Sequence, residues 1–210
     1  MTEKERAAAI VAALEQRYPD ALCTLDYRTA HELLVGAILA AQCTDYRVNL
    51  ITPALFERYP TPQAFAESER LELENLIRSC GLFRNKAKAI QAASAALVRD
   101  HDGQMPDTLE GLTRLPGVGR KIANLILGDW FGRQAVVVDT HCARISRLLG
   151  LTEQTEPAAI ERDLVAVLPP DKQTAYGHLV VAHGREICIA RRPDCHSCPL
   201  KPLCRHGRTA

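Results

Sequence analysis

Two groups of residues in this chain of 210 could do chemistry. The first is "LPGVGRK" at 115–121, followed 18 residues beyond its lysine by the aspartate of "VDTH". A helix start favours acids, because its free N–H groups and macrodipole make that end positive. Arg120 and Lys121 have the wrong sign for stability there. The second group is Cys188, Cys195, Cys198 and Cys204, spaced C-x6-C-x2-C-x5-C. Four thiolates so placed could hold zinc or an iron–sulfur cluster. The remaining cysteines, Cys23, Cys43, Cys80 and Cys142, are scattered through mostly apolar helical patterns. That is the usual setting of a small buried hydrophobe in a reducing compartment.

A lysine amine attacks carbon only when unprotonated, and its reference pKa of ~10.4 leaves little free amine at neutral pH. The positive helix end would disfavour the ammonium form, and so would partial burial against an apolar wall. A position poor for stability therefore suits a nucleophilic amine. The plain alternative for Lys121 is an exposed lysine at a helix start. For Asp139 it is an N-cap, which a catalytic carboxylate can also be. The two can meet: a helix from Lys121 to Phe131 rises about 15–18 Å, and Gly132–Val138 can span up to ~23 Å when extended.

The glycines also allow two readings. As packing devices, Gly117 ends one helix after Pro116, and Gly119 eases entry to the next. As ligand devices, two residues without Cβ leave backbone N–H groups uncovered for a phosphate. An anion seated there would favour the cation at Arg120 and would read no base.

The elements that must position these groups are helices. "TAHELLVGAILAAQ" begins with Thr29 and Glu32 in capping-box spacing. "TPQAFAE" has Thr61 at a cap and Pro62 at the first helical position. "ESERLELENLIRSCG" ends on Gly81, after which Leu82 could close the helix end. "NKAKAIQAASAALVRDHDG" is alanine-rich and ends at Gly103. "PDTLEGLTRL" puts Asp107 at a cap, Asp45 could cap another helix, and "DTHCARISRLLG" starts at Asp139. "TEPAAIERDLVAVLPP" and "TAYGHLVVAHGREICIA" follow, with His183 a structural residue. Only "AVVV" at 135–138 reads as extended, and four residues without a partner make a buried connector. The class is all-α, with about ten helices.

Apolar residues make up 47% and charged residues 24%, as in an ordinary globular protein. The N-terminus has the period of an amphipathic helix, unlike a signal peptide. No run approaches the ~20 apolar residues of a membrane span. A cytoplasmic, nucleoid-associated place is expected, with no membrane partner. Net charge is +1, but Arg185–Arg208 holds six cations against two acids. A solvated tail and a phosphate-binding face fit that count equally.

"LPGVGRKIAN", "ILAAQCTD" at 38–45, "GLFRNKA" at 81–87, "VDTH" at 138–141 and the cysteine run stand in one order. In that order the chain resembles, over nearly its whole length, the endonuclease III branch of the helix-hairpin-helix DNA glycosylases. The resemblance implies a two-lobed fold. Residues 22–133 would form a six-helix barrel with the helix-hairpin-helix at about 107–131. Residues 1–21 plus 134–210 would form an iron–sulfur lobe with its loop at 188–204, and DNA would lie between the lobes.

It also implies roles. Lys121 becomes a Schiff-base nucleophile and Asp139 the catalytic aspartate. Gly117, Val118, Gly119 and Arg120 become phosphate contacts. Gln42 would fill the gap left by a flipped base, and Leu82 would wedge into the stack. His141 suits a phosphate contact and a core histidine equally. Arg191 and Arg192, with Lys201, would meet phosphates. Cys188, Cys195, Cys198 and Cys204 would hold a structural [4Fe–4S] cluster rather than zinc. The implied activity is a bifunctional DNA glycosylase and AP lyase of base excision repair. It would remove oxidised pyrimidines of the thymine glycol type and cut 3′ to the abasic site by β-elimination. Its partner would be double-stranded DNA with a damaged or abasic site, bound by a monomer. "ILAAQCTD" lacks the glutamate of the adenine-removing relatives. Lys121 speaks against a uracil or mismatched-thymine glycosylase, and Lys121 with Asp139 against a non-catalytic DNA-binding module. An electron carrier would leave the hairpin without a use.

Overall fold

A computed structural model describes residues 1–209. They form eleven α-helices, two 3₁₀ turns and one π-helical turn, and among the described residues there is no strand. The chain divides into two compact units. One is Thr24–Phe131; the other is Met1–Cys23 with the chain from Gly132 on.

In the Thr24–Phe131 unit, α2 (Ala30–Leu39) is buried at every residue, as its almost wholly apolar sequence requires. Thr29 caps it by accepting from the Glu32 N–H at 3.1 Å. The Glu32 carboxylate turns to the Arg28 N–H and guanidinium instead, so the capping box is only half built. Helix α3 (Asp45–Arg58) is capped by Thr44, not by Asp45. Asp45 instead accepts a hydrogen bond from the Thr24 hydroxyl at 2.5 Å. Helix α4 (Pro62–Ala66) has Thr61 and Pro62 as expected. Helix α5 (Arg70–Leu76) runs into a 3₁₀ turn, Arg78–Cys80. Helix α6 (Phe83–His101) packs along α4. Helix α7 (Leu109–Thr113) is capped by Thr108, whose hydroxyl accepts from the Gly111 N–H at 3.1 Å, so Asp107 is not the cap. Helix α8 (Arg120–Leu125) passes into a π-helical turn, Ile126–Trp130, closed by the Phe131 N–H on the Ile126 carbonyl. Leu33, Leu34, Leu39, Leu55, Phe65, Leu73, Ile77, Ile90 and Leu97 fill the core. His31 is buried with them. Its Nε2 lies 2.8 Å from the Ser94 hydroxyl, and its ring meets Phe65 edge-on.

In the other unit, α1 (Glu3–Arg17) opens with a complete capping box between Thr2 and Glu5. "AVVV" is a buried connector, with Val136 and Val138 in the core. Helices α9 (Thr140–Leu149), α10 (Pro157–Val167) and α11 (Gln173–Glu186) complete the frame. Ile10, Leu14, Ile145, Ile160, Leu164, Tyr176 and Val180 pack between them. The Arg6 guanidinium binds the carbonyls of Leu149 and Gly150 at 2.7 Å and of Leu203 at 3.2 Å. One cation thus ties α1 to the end of α9 and to the cysteine loop.

Candidate active site and nucleic-acid interface

The hairpin joining α7 to α8 treats its two glycines differently. Gly117 has φ +77°, and a Cβ there would lie 2.8 Å from the Ala89 Cβ, so the fold itself demands glycine. Gly119 is extended, and a Cβ there would meet nothing within 4 Å. No protein atom requires its smallness. Val118 between them is 6% exposed, and its N–H is bound to the Leu115 carbonyl. The Val118 side chain thus packs inside the hairpin.

Gly119 is the N-cap of α8, so no side-chain oxygen receives the first N–H groups, and the first turn holds no acid. Arg120 and Lys121 are the first two residues of the helix, and both are exposed. The partial burial expected for Lys121 is not found.

Asp139 is the N-cap of α9, and its Oδ1 accepts from the Cys142 N–H at 2.7 Å. The carboxylate is half-buried and held in one orientation. Two residues on, the His141 ring packs against Gly184 of α11, where any Cβ would overlap it. His141 Nδ1 is buried with no hydrogen-bond partner among the described residues.

Gln42 and Leu82 stand out by backbone conformation. Gln42 follows α2 at φ +53°, and Leu82 precedes α6 at φ +47°. The left-handed region is uncommon for non-glycine residues and is kept only where the surroundings enforce it. Both side chains are exposed, Leu82 by 53%. Leu82 therefore closes no helix end, and its apolar side chain points into solvent. Beneath them lies Lys86, 4% exposed, whose Nζ donates to the Leu39 and Cys80 carbonyls at 2.8 Å each.

Cys188, Cys195, Cys198 and Cys204 line one cavity with Ile145, Leu149, Ile187 and Leu200. Among the described residues no three thiol, imidazole or carboxylate groups close on one point as a single metal ion requires. Sulfurs spread around an apolar cavity suit a cluster that offers each a separate iron. The Gly207 N–H donates to Cys204 Sγ at 3.2 Å and Arg144 Nη1 to Cys188 Sγ at 3.5 Å, and His183 Nε2 lies 3.6 Å from Cys198 Sγ. His183 is 1% exposed with Nδ1 3.2 Å from the Tyr18 hydroxyl, and burial pushes its pKa down to about 4. Arg191, at φ +70°, and Arg192 are exposed beside this cavity. Arg205 is engaged by Glu153 and the Arg147 carbonyl. Among the described residues, no helix is long and apolar enough to cross a membrane.

Residues 35–170 match the family profile described as HhH-GPD superfamily base excision DNA repair protein. Endonuclease III of Synechocystis sp. is 50% identical over 97% of this chain and 93% of its own length. The chain belongs to the endonuclease III family. A solved structure of a trapped endonuclease III–DNA covalent intermediate, an estranged-adenine complex, superposes with a TM-score of 0.93 at 40% identity. It covers 100% of this chain and 99% of that one. A thermostable thymine-DNA glycosylase shares the fold, with a TM-score of 0.88 at 19% identity over 99% and 98% of the two chains.

Three residues that the structure puts to use carry little sign of it in the sequence: Lys86, Gly184 and Arg6. Lys86 sits inside "GLFRNKA" with nothing to mark it as buried. The glycine of "AHGR" was a signal, since glycine inside a helix costs ~1 kcal/mol and asks for a reason. The reason is the His141 ring.

Proposed function

We propose that this chain is a bifunctional DNA glycosylase and AP lyase that removes oxidised pyrimidines through a Schiff base on Lys121. The observation that carries the reading is the α8 start: two exposed cations at an uncapped helix end, behind a glycine that no protein atom requires. The unprotonated Lys121 amine attacks C1′ of the damaged nucleotide. The glycosidic bond breaks, and the base leaves with the bonding pair and takes up a proton. Positive charge on the sugar is stabilised by the Asp139 carboxylate, whose cap bond to Cys142 holds its direction. Sugar-ring opening gives the imine, and the C2′ proton becomes acidic. Its loss expels the 3′ phosphate with cleavage of the C3′–O bond, and water then hydrolyses the imine.

The Gly117–Arg120 hairpin meets phosphate through backbone N–H groups and the Arg120 cation, without base readout. Gln42 fills the space of the flipped nucleotide and Leu82 enters the stack. The exposed apolar wedge and the left-handed backbone at both positions support this. His141, Arg191 and Arg192 add phosphate contacts. Cys188, Cys195, Cys198 and Cys204 hold a [4Fe–4S] cluster that pins the basic loop. The protein acts as a monomer on double-stranded DNA at the nucleoid.

Borohydride trapping on a duplex with one thymine glycol tests the reading, with a plain abasic duplex alongside. Wild type should give a covalent complex that Lys121→Ala loses. Trapping on the abasic duplex alone would keep the lyase and overturn the substrate class. Binding without trapping would remove Lys121 from the chemistry.

A further inference from the structure

The loops of Gln42 and Leu82 are tied to one buried side chain. Lys86, in the first turn of α6, is 4% exposed. Its Nζ donates at 2.8 Å to the Leu39 carbonyl, 47 residues away, and at 2.8 Å to the Cys80 carbonyl. Leu39 is the last residue of α2, and Cys80 is the last of the turn Arg78–Cys80. The last carbonyls of a helix have no partner inside it and form its negative end. A lysine carries three donors and no acceptor, so one Nζ can serve two such ends. Lysines are seldom fully buried unless paired, and here the pairing is with main chain. Lys172 shows the ordinary alternative: partly exposed, it pairs with Glu15 at 2.8 Å.

The chain just beyond each of those carbonyls carries an inserting residue. Gln42 follows Leu39 by three residues, in a turn closed by the Cys43 N–H on the Ala40 carbonyl at 3.1 Å. Leu82 follows Cys80 by two, through Gly81 at φ +67°. The Lys86 backbone N–H donates to the Leu82 carbonyl at 3.0 Å. Lys86 therefore grips the chain on both sides of Gly81, and its bond to Leu39 reaches across to the other loop. Left-handed backbones such as those of Gln42 and Leu82 persist only where the surroundings over-determine them.

We propose that Lys86 is a positioning residue that fixes the Gln42 and Leu82 loops at one spacing, so that both side chains enter a duplex as a unit. The proposal rests on the DNA-inserting roles proposed for those two residues. Buried as it is, Lys86 acts through the loops. Loops fixed before binding need no ordering on the DNA, which saves affinity. A shared anchor also means that seating one side chain seats the other, so their contributions are coupled. Undamaged duplex is held by phosphate contacts, which this anchor does not set.

The test uses the full chain with its cluster. Affinity is measured at one salt concentration for a duplex with an abasic-site analogue and for an undamaged duplex. Lys86→Met should bind the analogue about tenfold more weakly, the equivalent of ~1.4 kcal/mol, and the undamaged duplex as wild type does. Gln42→Ala and Leu82→Ala together should lose less analogue affinity than the product of their separate losses. In a Lys86→Met background the two losses should simply multiply. A loosened fold would weaken both duplexes alike and leave that coupling in place, and either result overturns the proposal. So does unchanged analogue affinity in Lys86→Met. Should Lys86→Met not fold, the Gln42 and Leu82 pair in wild type decides: losses that multiply there overturn the proposal, and coupled losses uphold it. If neither Gln42→Ala nor Leu82→Ala weakens analogue binding, the inserting roles fail and Lys86 with them. If both weaken it and Lys86→Met does not, only the role of Lys86 fails.

Discussion

Helices α8 and α9 begin in opposite ways. The α8 start has glycine at its N-cap, no side-chain cap and two exposed cations, whereas α9 is closed by Asp139 with a 2.7 Å bond to the Cys142 N–H. At α9 the stabilising group and the proposed functional group are one carboxylate. At α8 they are opposed, because the residues suited to chemistry are the wrong ones for the helix dipole. A third start, α2, shows what burial adds. His31 holds the same second position in its helix as Lys121 does in α8, but it lies in the core. Burial pushes its pKa down to about 4, and the group is neutral. Lys121 is left in the open, where the amine can reach a ligand.

The sharpest way to separate the two roles of Asp139 is to keep the cap and remove the charge. Asparagine caps as well as aspartate, so Asp139→Asn should unfold like wild type yet cut damaged duplex ~10²–10³-fold more slowly. Asp139→Ala should lose the same activity and also ~1 kcal/mol of stability, read from urea unfolding. An active Asp139→Asn would break the comparison.

The buried start makes a pH prediction. Unfolded His31 takes up a proton near 6.5, but folded His31 does so only near 4. As pH falls between those values the unfolded state binds more protons, so stability declines, by up to about 3 kcal/mol at the low end. Urea unfolding across this window should show a shallower slope in His31→Gln than in wild type.

The hairpin glycines should part in the next measurement. Gly117→Ala puts a Cβ against Ala89 at positive φ and should cost about 2 kcal/mol. Gly119→Ala should leave stability within ~0.5 kcal/mol while weakening duplex binding. Equal behaviour of the two would mean that Gly119 serves the fold after all. Smallest is Arg120→Ala, which should lower affinity alike for all sequences and reduce the salt slope by ~0.9.

Local chemistry was legible wherever one turn of chain decides it. Thr29, Thr61 and Asp139 cap the helices their spacing promised, and Gly103 closes α6 with its N–H on the Leu97 carbonyl. Neighbouring candidates were harder. Thr44 and Thr108 take the cap instead of Asp45 and Asp107, because Asp45 is already the first residue of α3 and Asp107 stands one residue before the α7 cap. The π-helical turn after Leu125 has no sequence signal that we can name.

The order of motifs, the all-helical class and the types of the reactive groups were determined by the sequence alone, because caps, periods and ligand types act over a few residues. Tertiary structure decided which charges are buried. It left Lys121 exposed, sank Lys86 beneath two loops, and seated His141 on Gly184. It also carried the Arg6 guanidinium to the Leu149, Gly150 and Leu203 carbonyls, far along the chain. Burial and such meetings depend on how whole helices pack, and packing is a sum over distant contacts that no local spacing records.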